Sequence, residues 1–216
     1  CRALAVACRR AGIEIVTGTP ARAVKTGCVQ TPAGPMSAGQ VVVAAGVPGF
    51  ALMADRIGAN AGSGVKGQAA LLRHRLPDDH PVLFHDGLYI VPHADGTVAV
   101  GSTSENRYDD PTGTDAQLDA VVERARAMMP DLRDAPVIER WAGLRPKARR
   151  RDPMLGPVPG LPGVFLATGA FKIGFGIAPR VGEVLADFVT GQEPALPRSF
   201  TVDYHMEATD AAARRN

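Results

Sequence analysis

VFLATGAFKIGFGIAPRVGEVLADFVTG (164–191) joins three units in one run. Val164 to Thr168 is short and apolar, as in a strand buried on both faces. Gly169, Gly174 and Gly176 then punctuate a loop. From about Pro179 the residues Val181, Val184, Leu185 and Phe188 recur at helical spacing, with Gly191 as the stop. A helix N-terminus carries unpaired N–H groups and a partial positive charge, and glycines let an anion or an electron-rich ring edge approach that backbone. The same spacing also suits a tight turn that packs a helix on a sheet, and spacing alone leaves both readings open.

Working outward, Val41-Val42-Val43-Ala44-Ala45-Gly46 is a second run that is apolar on both faces, as in a parallel sheet, and its small last residues allow close backbone approach. Upstream, residues 2–11 read as a helix closed near Gly12, Ile13 to Val16 as a strand, and Ala21 to Gly27 with Cys28 to Thr31 as a small strand pair. Between Pro81 and Thr103 the texture changes. Apolar runs are separated by Asp86-Gly87 and Asp95-Gly96, which predicts an antiparallel meander. Thr114 with Gln117 has the spacing of a capping box, ahead of a helix with Leu118, Val121, Val122, Ala125, Met128 and Met129 on one face. The Met pair reads as core packing. Val137 to Leu144 is a further strand candidate, and 203–216 reads as a polar, mobile tail. A parallel-type element joined to an antiparallel one predicts two lobes, divided between Gly58 and Gly67.

Composition sets the bounds. The 216 residues are 45% hydrophobic and 21% charged, enough for a real core. With 24 Gly and 18 Pro, a coiled coil or simple bundle is not expected. A net charge of +2, with the basic residues spread along the chain, gives no nucleic-acid footprint. No stretch approaches the apolar length of a membrane span. Cys1, Cys8 and Cys28 are odd in number and crowded at the start of the chain, unlike a disulfide framework, so a cytoplasmic location is expected. The chain opens on Cys inside what reads as a mid-domain helix, without a signal segment, and so reads as a piece whose upstream part is missing.

Among motifs that carry chemistry, Gly62-Ser63-Gly64-Val65-Lys66-Gly67 matches G-x-G-x-x-G literally, but it does not follow a strand at the first turn of a βαβ unit and is rejected as a dinucleotide fingerprint. Trp141-Ala142-Gly143-Leu144-Arg145-Pro146 places a guanidinium fork at a strand end, where it matches a carboxylate bidentately. A structural salt bridge is the commoner use of a lone Arg. Tyr89 on the meander can lend a phenol to a pocket, although a half-buried strand Tyr is the commoner case. Lys147, Arg149, Arg150 and Arg151 read as a solvated basic loop, with Asp152 as a pairing partner. The histidines lack the paired spacings of zinc sites, so no metal is expected. There is no G-x-S-x-G elbow, Walker A or kinase set.

VVVAAG (41–46), VKGQ (65–68), YIVPHADGTVAVGSTSE (89–105), WAGLRP (141–146), DPMLG (152–156) and ATGAFKIGFGIAP (167–179) stand together in order. On these motifs the chain, to about residue 200, resembles the C-terminal part of the FAD-dependent glycine/D-amino acid oxidase family. The resemblance implies α/β plus α+β architecture: part of a Rossmann-like FAD-binding domain, with an antiparallel-sheet substrate domain. On that scheme residues 1–62 and 141–200 belong to the FAD domain, 63–140 to the substrate domain, and 201–216 to the tail. It also implies FAD as cofactor, a small amino-acid substrate, hydride transfer from the α-carbon to the flavin, and H2O2 release, with no obligatory side-chain base. By the same resemblance Arg145 binds the substrate carboxylate, Tyr89 helps hold it, and Lys172 stands where a second contact is expected. Ala45 and Gly46 lie at the strand end near the adenosine half of FAD. The loop with Gly169, Phe171, Ile173, Gly174 and Phe175 meets the flavin's pyrimidine side, where a helix N-terminus favours negative charge.

Departures from the family pattern bear on substrate identity. The family's glycine-acting members have His and a second Arg where this chain has Ala170 and Lys172, and Lys lacks the planar fork. Pro48 and Ser104 replace a Trp and a Met. Alternatives are an amino-acid dehydrogenase, a sarcosine-type secondary-amine oxidase, or a non-catalytic flavoprotein remnant. The phosphate-binding start is expected upstream of Cys1, so the isolated piece is expected to bind FAD weakly or not at all and to be inactive. An oligomer is compatible with the sequence.

Overall fold

The computed structural model describes the backbone of residues 1–213 and the side chains of residues 1–207. In chain order the elements are α1 (Arg2–Arg10), β1 (Ala23–Lys25), β2 (Cys28–Thr31), β3 (Gly34–Ser37), β4 (Val41–Val43), α2 (Val47–Leu52), α3 (Ala54–Ile57), β5 (Gly62–Arg73), β6 (Leu83–His85), β7 (Leu88–His93), β8 (Thr97–Gly101), α4 (Ala116–Met128), β9 (Val137–Ala148), β10 (Met154–Pro157), β11 (Val164–Thr168), α5 (Gly174–Val189) and α6 (Val202–Ala213). The chain is mixed α/β with antiparallel sheets, as the motif pattern implies.

The largest sheet has five antiparallel strands in the order β6-β7-β8-β5-β9. The Asp86-Gly87 turn that starts it has positive φ at both residues, 45° and 74°. That backbone matches the right-handed twist of the flanking strands, which is why the pair reads so clearly in the sequence. Strand alternation then divides the sheet's two faces. Ile90 pairs with Val100 and Val100 with Ala70, and these residues join Leu118, Val121, Val122 and Ala125 of α4 in one buried core. Met129 is buried in that core and Met128 packs against it, so the Met pair does serve packing. On the opposite face Tyr89 pairs with Gly101, Gly101 with Ala69, and, further along β5, Val65 with Arg145. The register therefore puts Tyr89 and Arg145 on one face, over small residues.

A second core lies around the sheet β10-β11-β4, in which β11 runs parallel to β4 and antiparallel to β10. It gathers Val41, Val43, Phe50, Met53, Ile57, Met154, Val164, Leu166 and Val202. Thr168 Oγ1 donates to Gly46 O at 2.8 Å, tying together the ends of β11 and β4. The strands β1, β2 and β3 form a small antiparallel sheet of their own.

Several expectations are corrected. Ile13 to Val16 forms no strand, and Ile13, Ile15 and Val16 are exposed. β-branched composition without a sheet edge to pair with does not make a strand. Val42 is 40% exposed, so β4 is not buried on both faces. The cap of α4 is Asp115, whose side chain accepts from the Gln117 N–H, one residue after Thr114. The helix after the glycine loop begins at Gly174 and holds Pro179 inside, since the helix starts as soon as the loop has turned at Phe171. β9 runs on to Ala148, so Arg145 sits within a strand and not at its end, and the strand crosses position 141. In place of a mobile tail, residues 202–213 form α6, whose Val202 and His205 are buried; residues 214–216 lie outside the described residues.

Candidate functional site

Arg145 projects from β9 across β5 at Gly67, where a Cβ would lie 2.0 Å from its Nη1. The glycine is what lets the guanidinium lie against the sheet. Nη2 donates to Ser102 Oγ at 2.7 Å and Nη1 to Thr103 O at 3.3 Å. Both acceptors are uncharged, and among the described residues no carboxylate forms an ion pair with Arg145. Burial lowers its pKa below the ordinary guanidinium value, and the charge of Glu105 opposes that shift. A partly desolvated cation without a paired anion is poised to bind one.

The guanidinium opens onto a cavity of about 490 Å³ whose lining includes Tyr89, Ser102, Ser104, Phe171 and Lys172. Tyr89, half-exposed on the sheet face, packs its ring against Phe84 at 4.5 Å. Phe171 has φ 47° and donates its N–H to Pro146 O at 2.8 Å, which fixes the loop to β9 beside Arg145. Lys172 Nζ lies 5.5 Å from the Phe171 ring centre, held along the cavity wall by a cation–π contact. The three residues expected to touch substrate, Arg145, Tyr89 and Lys172, are thus brought to one cavity.

A neighbouring apolar cleft of about 390 Å³ is lined by Ala44, Gly46, Thr168, Ala170, Gly174 and Ala178, among others. Gly46 has φ 63° and ψ −131°, a backbone open to glycine, and a Cβ there would meet nothing within 4 Å. The loop 170–175 borders both spaces: Ala170 and Gly174 line the cleft, whereas Phe171, Lys172 and Phe175 line the cavity. Ile173 and Phe175 are exposed, Phe175 to 87%. Ala45 is exposed but outside the cleft lining, and Gly169 is buried with its Cα against Ala148, where a Cβ would come within 2.6 Å. Gly169 therefore serves packing between β11 and β9. Among the described residues no group of three or more His, Cys, Asp or Glu is placed to hold a metal, and no helix is long and apolar enough to cross a membrane.

A family profile, DAO, described as FAD dependent oxidoreductase, matches residues 1–188. The chain belongs to this family. Glycine oxidase of Pseudomonas putida is 34% identical over 168 residues, covering 78% of this chain and 46% of the relative. Glycine oxidase of Bacillus subtilis is 32% identical over 201 residues, covering 89% and 53%. The crystal structure of glycine oxidase from Geobacillus kaustophilus superposes with a TM-score of 0.84 at 28% identity, over 93% of this chain and 56% of that one. The chain thus spans about half the length of these relatives. L-proline dehydrogenase from P. horikoshii shares the fold, with a TM-score of 0.81 at 21% identity.

The cleft is apolar, with small residues at Gly46, Ala170 and Gly174 and larger ones at Met154, Leu155, Val181 and Leu185. The first N–H groups of α5 have no partner within the helix and lie at the loop that borders it; an apolar slot beside such donors is compatible with part of a flat, electron-rich ring. Sequence reasoning missed Gly67, Ser102 and Thr103, which seat and orient Arg145. The interior glycine of a strand was the available signal, since such a position often marks close approach of another group.

Proposed function

We propose that the protein carrying this chain oxidatively deaminates glycine or a small D-amino acid, with Arg145 anchoring the carboxylate. The observation that carries this reading is the Arg145 fork, fixed by Ser102 and Thr103, opening onto the cavity shared with Tyr89 and Lys172. The chemistry FAD would supply is two-electron oxidation at the α-carbon, with O2 as acceptor and H2O2 and a hydrolysable imine as products. Gly46, Ala170, Gly174 and the start of α5 are the residues proposed to hold its ring and adjoining half, with Ile173 and Phe175 beside them.

The chain's own side chains bind and orient. Arg145 takes both oxygens of the carboxylate, which fixes the amino acid's direction in the cavity. Tyr89 donates from the side, and Lys172 adds a second positive charge without a planar fork. Among the described residues, neither a carboxylate nor a histidine lines the cavity. Two cations with no anion favour the substrate with its amine unprotonated, the form that can release hydride, so no side-chain base is needed. The Arg145→Ala variant of the FAD-loaded protein is expected to raise KM for glycine by roughly 100-fold, the scale of lost charge-assisted hydrogen bonds, while flavin content stays the same. An unchanged KM would overturn the reading.

A further inference from the structure

On the α4 side of the large sheet, behind Arg145, lies a largely buried polar network, none of whose residues line the Arg145 cavity and several of which line a separate space of about 340 Å³. Lys66 and Gln68 project from β5 with side chains 3% and 0% exposed, and Glu105 is 8% exposed. Gln68 Nε2 donates to Glu105 Oε1 at 3.0 Å and to Asp115 Oδ1 at 2.9 Å. Gln117 Nε2 donates to Glu105 Oε2 at 3.2 Å, and Lys66 Nζ stands 3.8 Å from both Glu105 and Asp115. The Thr103 hydroxyl donates to Glu105 Oε1 and accepts from the Gln68 N–H at 2.8 Å. The backbones of Lys66 and Glu105 exchange two hydrogen bonds of 2.9 Å. Thr103 therefore has two ends: its hydroxyl is fixed by Glu105, and its carbonyl accepts from Arg145.

We propose that Glu105 is the positioning residue for Arg145, acting through Thr103 and resting on the proposal that Arg145 anchors a carboxylate. Removing a buried charge for its own sake would favour an apolar residue here, because a buried ion pair gives little net stability. What Glu105 adds is geometry and field. It pins the segment 102–105, which carries both of Arg145's acceptors. Its negative charge, set behind the sheet, also supports the guanidinium against desolvation without occupying the cavity face where a substrate carboxylate would sit. Ser102 to Glu105 follows β8, and backbone bonds from Thr103 N–H to Gln68 O at 3.3 Å and between Lys66 and Glu105 hold its course; the Glu105 carboxylate adds the side-chain anchor that orients Thr103.

The test is acetate titration of the protein labelled with [15N]arginine, following the Arg145 side-chain resonance, alongside KM and kcat for glycine in the FAD-loaded protein. Arg145→Ala assigns the resonance and tests the underlying reading by itself. Glu105→Ala is expected to weaken acetate binding and raise KM about tenfold, with a smaller change in kcat. Glu105→Gln, which keeps an acceptor for Thr103, is expected to restore most of the acetate affinity. Acetate affinity unchanged in Glu105→Gln and in a folded Glu105→Ala, while Arg145→Ala abolishes it, would overturn the positioning role and leave the anchor standing. Should Glu105→Ala fail to fold, Thr103→Val, which removes the hydroxyl and keeps the carbonyl, replaces it and is expected to weaken acetate binding; full affinity in that variant would likewise overturn the proposal. Acetate that binds without perturbing Arg145 in the parent protein would overturn the anchor itself.

Discussion

At Gly67 the missing side chain makes room for Arg145 and is not needed by the strand. Its backbone φ is not in the left-handed region, and the strand would tolerate alanine, which reduces the entropy of the unfolded chain. The obstacle is Arg145, whose Nη1 would meet the new Cβ at 2.0 Å. Gly67→Ala is therefore expected to leave thermal stability equal or higher while acetate and glycine affinities fall about tenfold, because the fork leaves Ser102 and Thr103. Parallel calorimetry and titration check this; a loss of stability with affinity intact would contradict it. Arg145 is singled out in the sequence by Leu-Arg-Pro together with the family resemblance, and the described residues give it no ion-pair partner, unlike the salt bridge that a lone Arg usually makes. Its seat was not legible, because Gly67 meets Arg145 only through the register of two strands far apart in sequence, which local patterning does not encode.

Elements were legible where the chain's own chemistry determines them. The meander follows from Asp-Gly turns, and α4 from apolar spacing, although its cap is Asp115 and not Thr114. They were misread where tertiary contact decides. Pro179 looks like a helix start, yet the loop turns at Phe171 and α5 begins at Gly174, before the proline. Residues 202–213 look like a polar tail, yet Val202 enters the second core and His205 Nε2 donates to Pro153 O at 3.2 Å. Burial, opposed in part by that hydrogen bond, pushes the His205 pKa below its ordinary 6.5. Above that value the imidazole is neutral in both folded and unfolded chains. As pH falls through it, the unfolded chain takes up the proton first, so stability is lost. The melting temperature is expected to fall between about pH 7 and pH 5 more steeply in the parent than in His205→Gln. Equal slopes would contradict the assignment of this histidine as a buried neutral group.

At the scale of the whole molecule, two sheets meet at the face proposed as the site. The five-stranded sheet carries Tyr89 and Arg145, the β10-β11-β4 sheet carries Gly46 and the glycine loop, and residues 170–175 border both the cavity and the cleft. The proposed carboxylate anchor thus lies beside an apolar cleft bordered by the glycine loop, and among the described residues neither lining contains a carboxylate or a histidine. On the proposed reading, the absence of a catalytic dyad from the sequence follows from a division of labour in which the residues would bind and the cofactor of this FAD-dependent family would carry the electrons. The most direct test is anaerobic addition of glycine, and separately of D-alanine, to the FAD-loaded protein while the visible flavin absorbance is followed. Bleaching by at least one of them, reversed with H2O2 formation on admitting air and requiring far higher amino-acid concentrations in Arg145→Ala, is the predicted result. A bound flavin that stays oxidised with both, in a folded protein, would contradict the account.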